Sequence, residues 1–279
     1  MLRNALTIDV EDYFQVSAFE HHISRNDWDD LPCRVEKNMD SILTLLSKKQ
    51  VKATFFILGW IAQRYPDLVR RIAAEGHEVA SHGFGHQRVT DLTRDEFLKD
   101  VTESKRLLEA LSGQPVIGYR APSFSIGEKN LWALDVLKEA GYEYSSSIYP
   151  IQHDHYGMPD APRFRFRPRG AAGILEIPVT TAMVLGRQIP AAGGGYFRLF
   201  PYMLSRWLMR RVHAADAESC IFYFHPWEVD PGQPRQHGVG LKTRFRHYVN
   251  LEQMHGKISA MLDDFHWGRV DQVFLGQPA

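Results

Sequence analysis

Val79-Ala80-Ser81-His82-Gly83-Phe84-Gly85-His86 joins a short apolar run to two imidazoles four residues apart among glycines. The run predicts a strand over Val79–Ser81, and the glycines predict a tight loop at its C-terminal end. A turn of that size can aim both rings at one point. Two neutral imidazoles sharing a point are what a divalent metal needs. A strand that delivers such a loop suits a parallel α/β sheet or barrel, where functional residues gather at the strands' C-terminal ends.

Three other segments repeat that arrangement. Thr7-Ile8-Asp9-Val10-Glu11-Asp12-Tyr13 sets three carboxylates within four positions of a hydrophobic strand, Leu6–Val10. Desolvating a carboxylate is expensive, so acids in a buried strand imply a role. In a strand Asp9 and Glu11 share a face, and Asp12 joins them only if the chain turns. One acid is expected to bind metal with His82 and His86, and another to act as general base. A carboxylate with two histidines and an open position is a hydrolytic metal centre. In Arg120-Ala121-Pro122-Ser123-Phe124 a strand-terminal Arg precedes a rigid turn, and a guanidinium can hold a carboxylate and keep its pKa low. His225 follows an aromatic strand in Phe222-Tyr223-Phe224-His225-Pro226-Trp227, a position that suits a general acid.

The rest of the chain alternates strand-like and helix-like segments. Helical spacing predicts helices over Val35–Lys48, Ile61–Glu75, Thr93–Leu111, Asn130–Ala140, Phe200–Ala214 and Leu251–Phe265. Thr93 with Glu96 reads as a capping box. Strands are expected at Ala53–Leu58, Ile117–Arg120, Glu143–Ile148, Ile174–Val179 and Cys220–His225. This alternation predicts βαβ units and a mainly parallel sheet or barrel. Ser147–Gly173 and Ala191–Phe197, with Gly193-Gly194-Gly195, break the rhythm and read as long loops over a cleft.

Composition narrows the class. The chain has 279 residues, 44% hydrophobic, with a formal net charge of zero. One large core is affordable, and the balanced charge gives no general pull toward nucleic acid or an anionic membrane. Aromatics at 12% suit either a sugar-binding cleft or simple core filling. Two cysteines, Cys33 and Cys220, make a disulfide framework unexpected and favour a reducing compartment. The N-terminal apolar run meets an acid too early for a signal peptide. No stretch approaches the roughly 20 apolar residues of a membrane span. A soluble, cytoplasmic protein is the expectation.

Across roughly residues 5–230 the ordered motifs resemble the polysaccharide deacetylase (NodB-homology) family, carbohydrate esterase family 4. Asp9–Asp12 resembles the first motif, whose leading Asp is the base and whose next acid binds metal. Ser81–His86 resembles the motif with two metal ligands, and Lys52-Ala53-Thr54-Phe55-Phe56 the family's second strand. Arg120-Ala121-Pro122 resembles the motif whose Arg orients the base, and Phe224-His225-Pro226 the motif that supplies the acid. Asp9–Phe14, Glu176-Ile177-Pro178 and Gly193–Arg198 look like the subgroup linked to exosortase-associated exopolysaccharide clusters.

The resemblance implies a distorted (β/α) barrel in a single domain. Residues 1–230 would form the deacetylase domain, and 231–279 a C-terminal extension packed on it. It implies one divalent metal per site, most simply Zn²⁺, held by His82, His86 and Glu11 or Asp12. Catalysis would fall to Asp9, Arg120 and His225, with Pro122, Phe124, Tyr196 and Trp227 contacting substrate. The substrate would be N-acetylhexosamine in an exopolysaccharide or its lipid-linked precursor, met at the inner membrane face. No nucleic-acid partner is implied, and the oligomeric state stays open.

Two departures stand out. The family's adjacent Asp-Asp is here Asp9-Val10-Glu11-Asp12, where strand parity favours Glu11 over Asp12 as ligand. The fourth motif's Asp is replaced near Tyr144-Ser145-Ser146-Ser147, so a carboxylate that tunes His225 is absent or comes from elsewhere. The alternative readings are an allantoinase-like hydrolase of a small cyclic amide and a carbohydrate-binding pseudoenzyme. A non-haem iron oxygenase leaves the Arg-Pro and His-Pro elements without a role.

Overall fold

The computed structural model describes residues 2–153, 157–191 and 193–276. Asp154, His155 and Tyr156 of the first expected loop, and Ala192 of the second, lie outside the described residues. In chain order the elements are β1 (Arg3–Val10), α1 (Val35–Lys48), β2 (Thr54–Ile57), α2 (Gly59–Arg64), α3 (Pro66–Ala74), β3 (Glu78–Ser81), α4 (Arg94–Ser112), β4 (Gly118–Tyr119), α5 (Trp132–Glu139), β5 (Tyr144–Ser145) and β6 (Leu175–Glu176). There follow β7 (Thr181–Val184), β8 (Arg187–Pro190), α6 (Gly194–Leu199), α7 (Tyr202–Asp216), β9 (Ile221–Phe224), α8 (Leu241–Tyr248), α9 (Leu251–Asp264) and β10 (His266–Gly268).

β1 organises the sheet. From Asn4 onward it is buried, as its apolar run requires. Ala5–Ile8 pair in parallel with β9, Thr7–Val10 with β2, and Arg3–Ala5 with β10. A strand has two edges, so β2 and β10 share one edge end to end and β9 takes the other. The parallel order is β9-β1-β2-β3-β4-β5-β6. Among the described residues no pairing joins β6 to β9, so the expected barrel is an open, curled one. The strands expected at Glu143–Ile148 and Ile174–Val179 shrink to two residues each. Beyond them, backbone groups bond side chains: Ser147 and Ile148 N–H donate to Glu176 Oε1 at 2.8 and 2.7 Å.

One expected helix needs correction, and one hairpin adds to the expected elements. Ile61–Glu75 is two helices, because Pro66 lacks the N–H a continuous helix needs and restricts Tyr65 before it (φ −126°, ψ 62°). The antiparallel β7–β8 hairpin was not legible. Its turn residues Leu185 and Gly186 both have positive φ (49° and 74°), a conformation that Asn-Gly would have announced and Leu-Gly hides. The Thr93 capping box forms as expected, with Glu96 N–H donating to Thr93 Oγ1 at 3.3 Å and Thr93 N–H to Glu96 Oε2 at 2.8 Å. Such a cap contributes about 1 kcal/mol.

The glycine triplet has a packing cause. Gly193 makes a parallel bridge to Tyr223 on β9's outer edge at φ +118°, and a Cβ there would lie 1.9 Å from the Tyr223 carbonyl oxygen. Gly193→Ala is therefore expected to destabilise the fold by about 2–4 kcal/mol, read as a lower urea midpoint at unchanged m-value. A shift below about 0.5 kcal/mol would show that the segment moves aside freely. Among the described residues no helix is long and apolar enough to cross a membrane.

Candidate metal and catalytic site

The parallel register brings Asp9, His82, Arg120 and His225 to one end of the sheet, at the C-terminal ends of β1, β3, β4 and β9. Glu11 follows β1 directly. One ligand atom each from Glu11, His82 and His86 lies within 4.8 Å of the others, and all three residues are buried. His82 Nδ1 is 2.8 Å from the Arg120 carbonyl, to which it must donate, so Nε2 is left as the lone-pair atom. His86 reaches the cluster by adopting φ +52°. A non-glycine residue held there costs on the order of 1 kcal/mol, typical of functional turns. Gly83 (φ +77°) lets the loop pass Asp100, since a Cβ would stand 2.8 Å from Asp100 Oδ2. Asp100 accepts the Phe84 N–H at 3.0 Å and so anchors the histidine loop to α4. Burial pushes its carboxyl up to about 6.

The donor set suits a divalent cation. Glu11 Oε2 is buried without a hydrogen-bond partner, although His86 Nε2 is 2.7 Å away. Burial alone would raise the Glu11 carboxyl, yet the surrounding His86, His225 and His82 bring it down to about 2. Burial lowers His82 to about 4. A buried carboxylate oxygen with two imidazoles close by is the mixed oxygen and nitrogen donor chemistry a divalent cation takes.

Asp12, the other candidate ligand, is engaged elsewhere. Its Oδ2 accepts the Arg34 N–H, the Val35 N–H at 2.8 Å and the Cys33 thiol at 3.0 Å, and its Oδ1 accepts Tyr13 N–H at 2.8 Å. The carboxylate ties the start of α1 to the end of β1, and burial raises its pKa. The structure thus gathers Glu11, His82 and His86 and turns Asp12 away.

Asp9 and Arg120 meet as the motif reading expects. Arg120 Nη1 donates to Asp9 Oδ1 at 2.6 Å and to Thr7 Oγ1 at 2.8 Å. Its other nitrogens reach Ser146 O at 3.0 Å and Ser146 Oγ at 2.9 Å, and the guanidinium lies 4.2 Å over the Phe56 ring. Ser147 Oγ accepts the Ala121 N–H at 2.9 Å. The serines that stand where an acid was sought therefore cradle the Arg-Ala pair. Ser123 and Phe124 follow with φ of +55° and +50°, a second strained turn at the site.

His225 finds its carboxylate three residues along the chain. Its Nδ1 is 3.0 Å from Glu228 Oε2, and its Nε2 lies 3.7 Å from Glu11 Oε1 and 3.9 Å from Asp9 Oδ2. Fully buried Glu228 is held in turn by Arg198 Nε at 2.7 Å. Burial pulls the His225 imidazole down, but Glu11, Glu228 and Asp9 outweigh it and hold it at about 9. Burial would raise Glu228, yet Arg198 and His225 take it to about 2. The sequence carried the signal in His225-Pro226-Trp227-Glu228, since one short turn places i and i+3 together.

The expected substrate-contacting residues divide. Trp227 is buried, stacked between His225 (5.2 Å) and His247 (4.3 Å), and its indole N–H donates to Glu11 Oε1 at 3.2 Å. That contact orients Glu11. Pro122 is buried in the turn after Arg120. Phe124 packs edge-on against Tyr149 and Tyr223, and half-buried Tyr196 borders this aromatic cluster. A cavity of about 500 Å³ opens beside His86, lined among others by Gln15, Ser17, Glu20, Arg25 and Trp28.

Comparison with known proteins points the same way. Residues 27–145 match the family described as polysaccharide deacetylase, and residues 146–275 a domain of unknown function, DUF3473. The chain is 36% identical over 95 residues to a peptidoglycan-N-acetylglucosamine deacetylase of Bacillus cereus, a stretch covering 34% of each chain. It is 33% identical over 99 residues to a chitooligosaccharide deacetylase of Rhizobium leguminosarum bv. trifolii, covering 36% of this chain and 43% of the relative. The chain thus spans less than half the length of these relatives. A solved structure from Mycobacterium smegmatis, described among the polysaccharide deacetylases, superposes with a TM-score of 0.62 at 20% identity, covering 98% of this chain and 88% of that one. That likeness speaks to the fold.

Proposed function

From a chain whose residues 27–145 match the polysaccharide deacetylase family, we propose a metal-dependent hydrolase that removes N-acetyl groups from hexosamine units of a polysaccharide. The observation that carries this reading is the convergence of a Glu11-His82-His86 donor set with an Arg120-held Asp9 and a Glu228-held His225. Glu11, His82 and His86 would hold the metal, with Zn²⁺ the simplest occupant of an N₂O set. When bound, a divalent cation supplies Lewis acidity toward an amide carbonyl and lowers the pKa of water.

The side chains supply the remaining chemistry. Asp9 takes the proton of the attacking water, and Arg120 fixes the carboxylate's direction. His225, protonated through its carboxylate neighbours, gives a proton to the departing sugar amine. Acetate and a free amine result. Tyr196, Phe124 and the cavity beside His86 would border the sugar. An exopolysaccharide precursor is the proposed polymer, on the likeness of Gly193–Arg198 and Glu176–Pro178 to the exosortase-associated subgroup. A pure binding role would need neither the base nor its orienting Arg, so the complete acid–base set favours catalysis.

Acetate release from N-acetylglucosamine oligomers and from exopolysaccharide tests the reading, with metal-stripped protein and added Zn²⁺. Release should depend on metal, and Glu11→Gln should lose stoichiometric metal while Asp12→Asn retains it in whatever fraction folds. Metal bound at one equivalent with no acetate from any glycan would overturn the proposal.

A further inference from the structure

Every large hydrophobic side chain that is exposed among the described residues lies between Leu185 and Phe245. On α7 the solvent face carries Met203 (64% exposed), Leu204 and Trp207 (47%), then Arg210 and Arg211. The spacing of i, i+4 and i+7 or i+8 sets them in one stripe. On α8 Leu241 (85%) and Phe245 (57%) stand one turn apart, interleaved with Lys242 and Arg244. A helix face open to water is ordinarily polar, so two helices that turn aromatic and aliphatic groups outward, both joined to α6, mark an interaction surface.

Hydrogen bonds join these pieces into one region. Arg198 on α6 donates to the carbonyls of Arg246, His247 and Val249 at 3.0, 2.7 and 3.2 Å, binding α6 to the end of α8. Phe200 and Pro201 connect α6 directly to α7. Arg211 Nε donates to Met183 O, which ties α7 to the hairpin whose tip, Leu185, is 96% exposed.

Charge selects the occupant. Residues 200–216 and 231–251 together hold seven Lys and Arg and one acid, Asp216, which pairs with Arg163 outside these segments, within a chain whose formal charge is zero. The whole-chain balance therefore conceals a strong local asymmetry. Asp264 partly offsets it by pairing with Arg206 at 2.8 Å and Arg210 at 3.6 Å. A second copy seated on this face would set cation against cation. Apolar side chains including Trp and Phe, mixed with Arg and Lys, match an anionic lipid surface, which takes the rings at headgroup depth and the cations at its phosphates.

We propose that the α7–α8 face docks this protein peripherally on an anionic lipid bilayer. The proposal stands apart from the deacetylase reading, because it rests on other residues and is read by binding alone. Arg198, which holds α6 to α8, also holds Glu228, so the docking face adjoins the support of His225.

Flotation with phosphatidylcholine vesicles, with and without phosphatidylglycerol, tests the proposal on the full chain. The protein should float only with the anionic vesicles, and less as salt rises. Met203→Ser with Trp207→Ser, and separately Arg210→Glu with Arg211→Glu, should each weaken binding by about tenfold or more. Met203 and Trp207 are solvent-exposed, so that variant should keep the wild-type melting transition. Arg210 and Arg211 also contact Asp264 and Met183 O, so the charge-reversed variant is assayed well below its own melting transition. An exposed Glu36→Gln should float like wild type. Failure to float with anionic vesicles overturns the proposal, as does equal binding to phosphatidylcholine alone or binding indifferent to both double variants. A dimer in light scattering that Trp207→Ser dissolves, without flotation, assigns the face to a second copy instead.

Discussion

Replacing Asp9 by Asn is expected to lower kcat by about a thousandfold while leaving the fold and metal content intact. The amide keeps the carboxylate's shape, so Oδ1 can still accept from Arg120 Nη1, now 2.6 Å away. What it loses is the ability to take a proton. Because Asp9 lies outside the Glu11-His82-His86 cluster, bound metal should stay at wild-type stoichiometry, which separates loss of the base from loss of the ion. Asp9→Ala is the less informative variant. It would leave the guanidinium of Arg120, 1% exposed, without its carboxylate. Breaking one side of a buried pair costs about 3–5 kcal/mol. Acetate release by Asp9→Asn within about tenfold of wild type would remove Asp9 from the base role, since a positioned general base contributes at least about a hundredfold.

Much of this site is visible in the sequence because its parts are local. Strand parity alone puts Asp9 and Glu11 on one face, and the glycines between His82 and His86 announce a loop. Each motif also closes a strand of one parallel sheet, so a single topological rule predicts that they meet. Asp12 shows where adjacency misleads. It stands beside Glu11 in the chain, but the turn after β1 sends its carboxylate to the backbone of Arg34 and Val35, more than twenty residues on.

The parts that stay hidden depend on long-range partners. Nothing local says that Ser146 faces Arg120, or that Arg198 leaves a glycine-rich segment to hold Glu228. β10 pairs with the first residues of β1 across nearly the whole chain, and its three residues carry no strand pattern of their own. The β7–β8 hairpin escaped because Leu185 occupies a left-handed position that favours Gly or Asn. The tight approach of Gly193 to Tyr223 likewise needs the folded sheet before the glycine acquires a reason.

The second large effect concerns His225. His225→Ala is expected to lower kcat by about a hundredfold or more, through loss of the proton donor to the amine. Glu228→Gln tests how that donor is tuned. The acid form is the active one, so activity falls as pH rises through the imidazole's pKa. Glu11, Glu228 and Asp9 hold that pKa at about 9 against burial. A cation on Glu11 would neutralise part of this support, so the alkaline limb of the loaded enzyme should lie below that value. Glu228→Gln removes a further carboxylate and moves the limb to still lower pH, with kcat at low pH reduced much less than in His225→Ala. The same linkage governs stability of the metal-free protein. A histidine raised from 6.5 to about 9 contributes stability that is full below 6.5 and lost as pH rises through 9. That pH dependence of melting should shrink in Glu228→Gln, where Arg198 keeps its carbonyl partners in the 246–249 segment. An unmoved alkaline limb in this variant would mean that Glu228 holds the turn at His225 in place without setting its proton affinity.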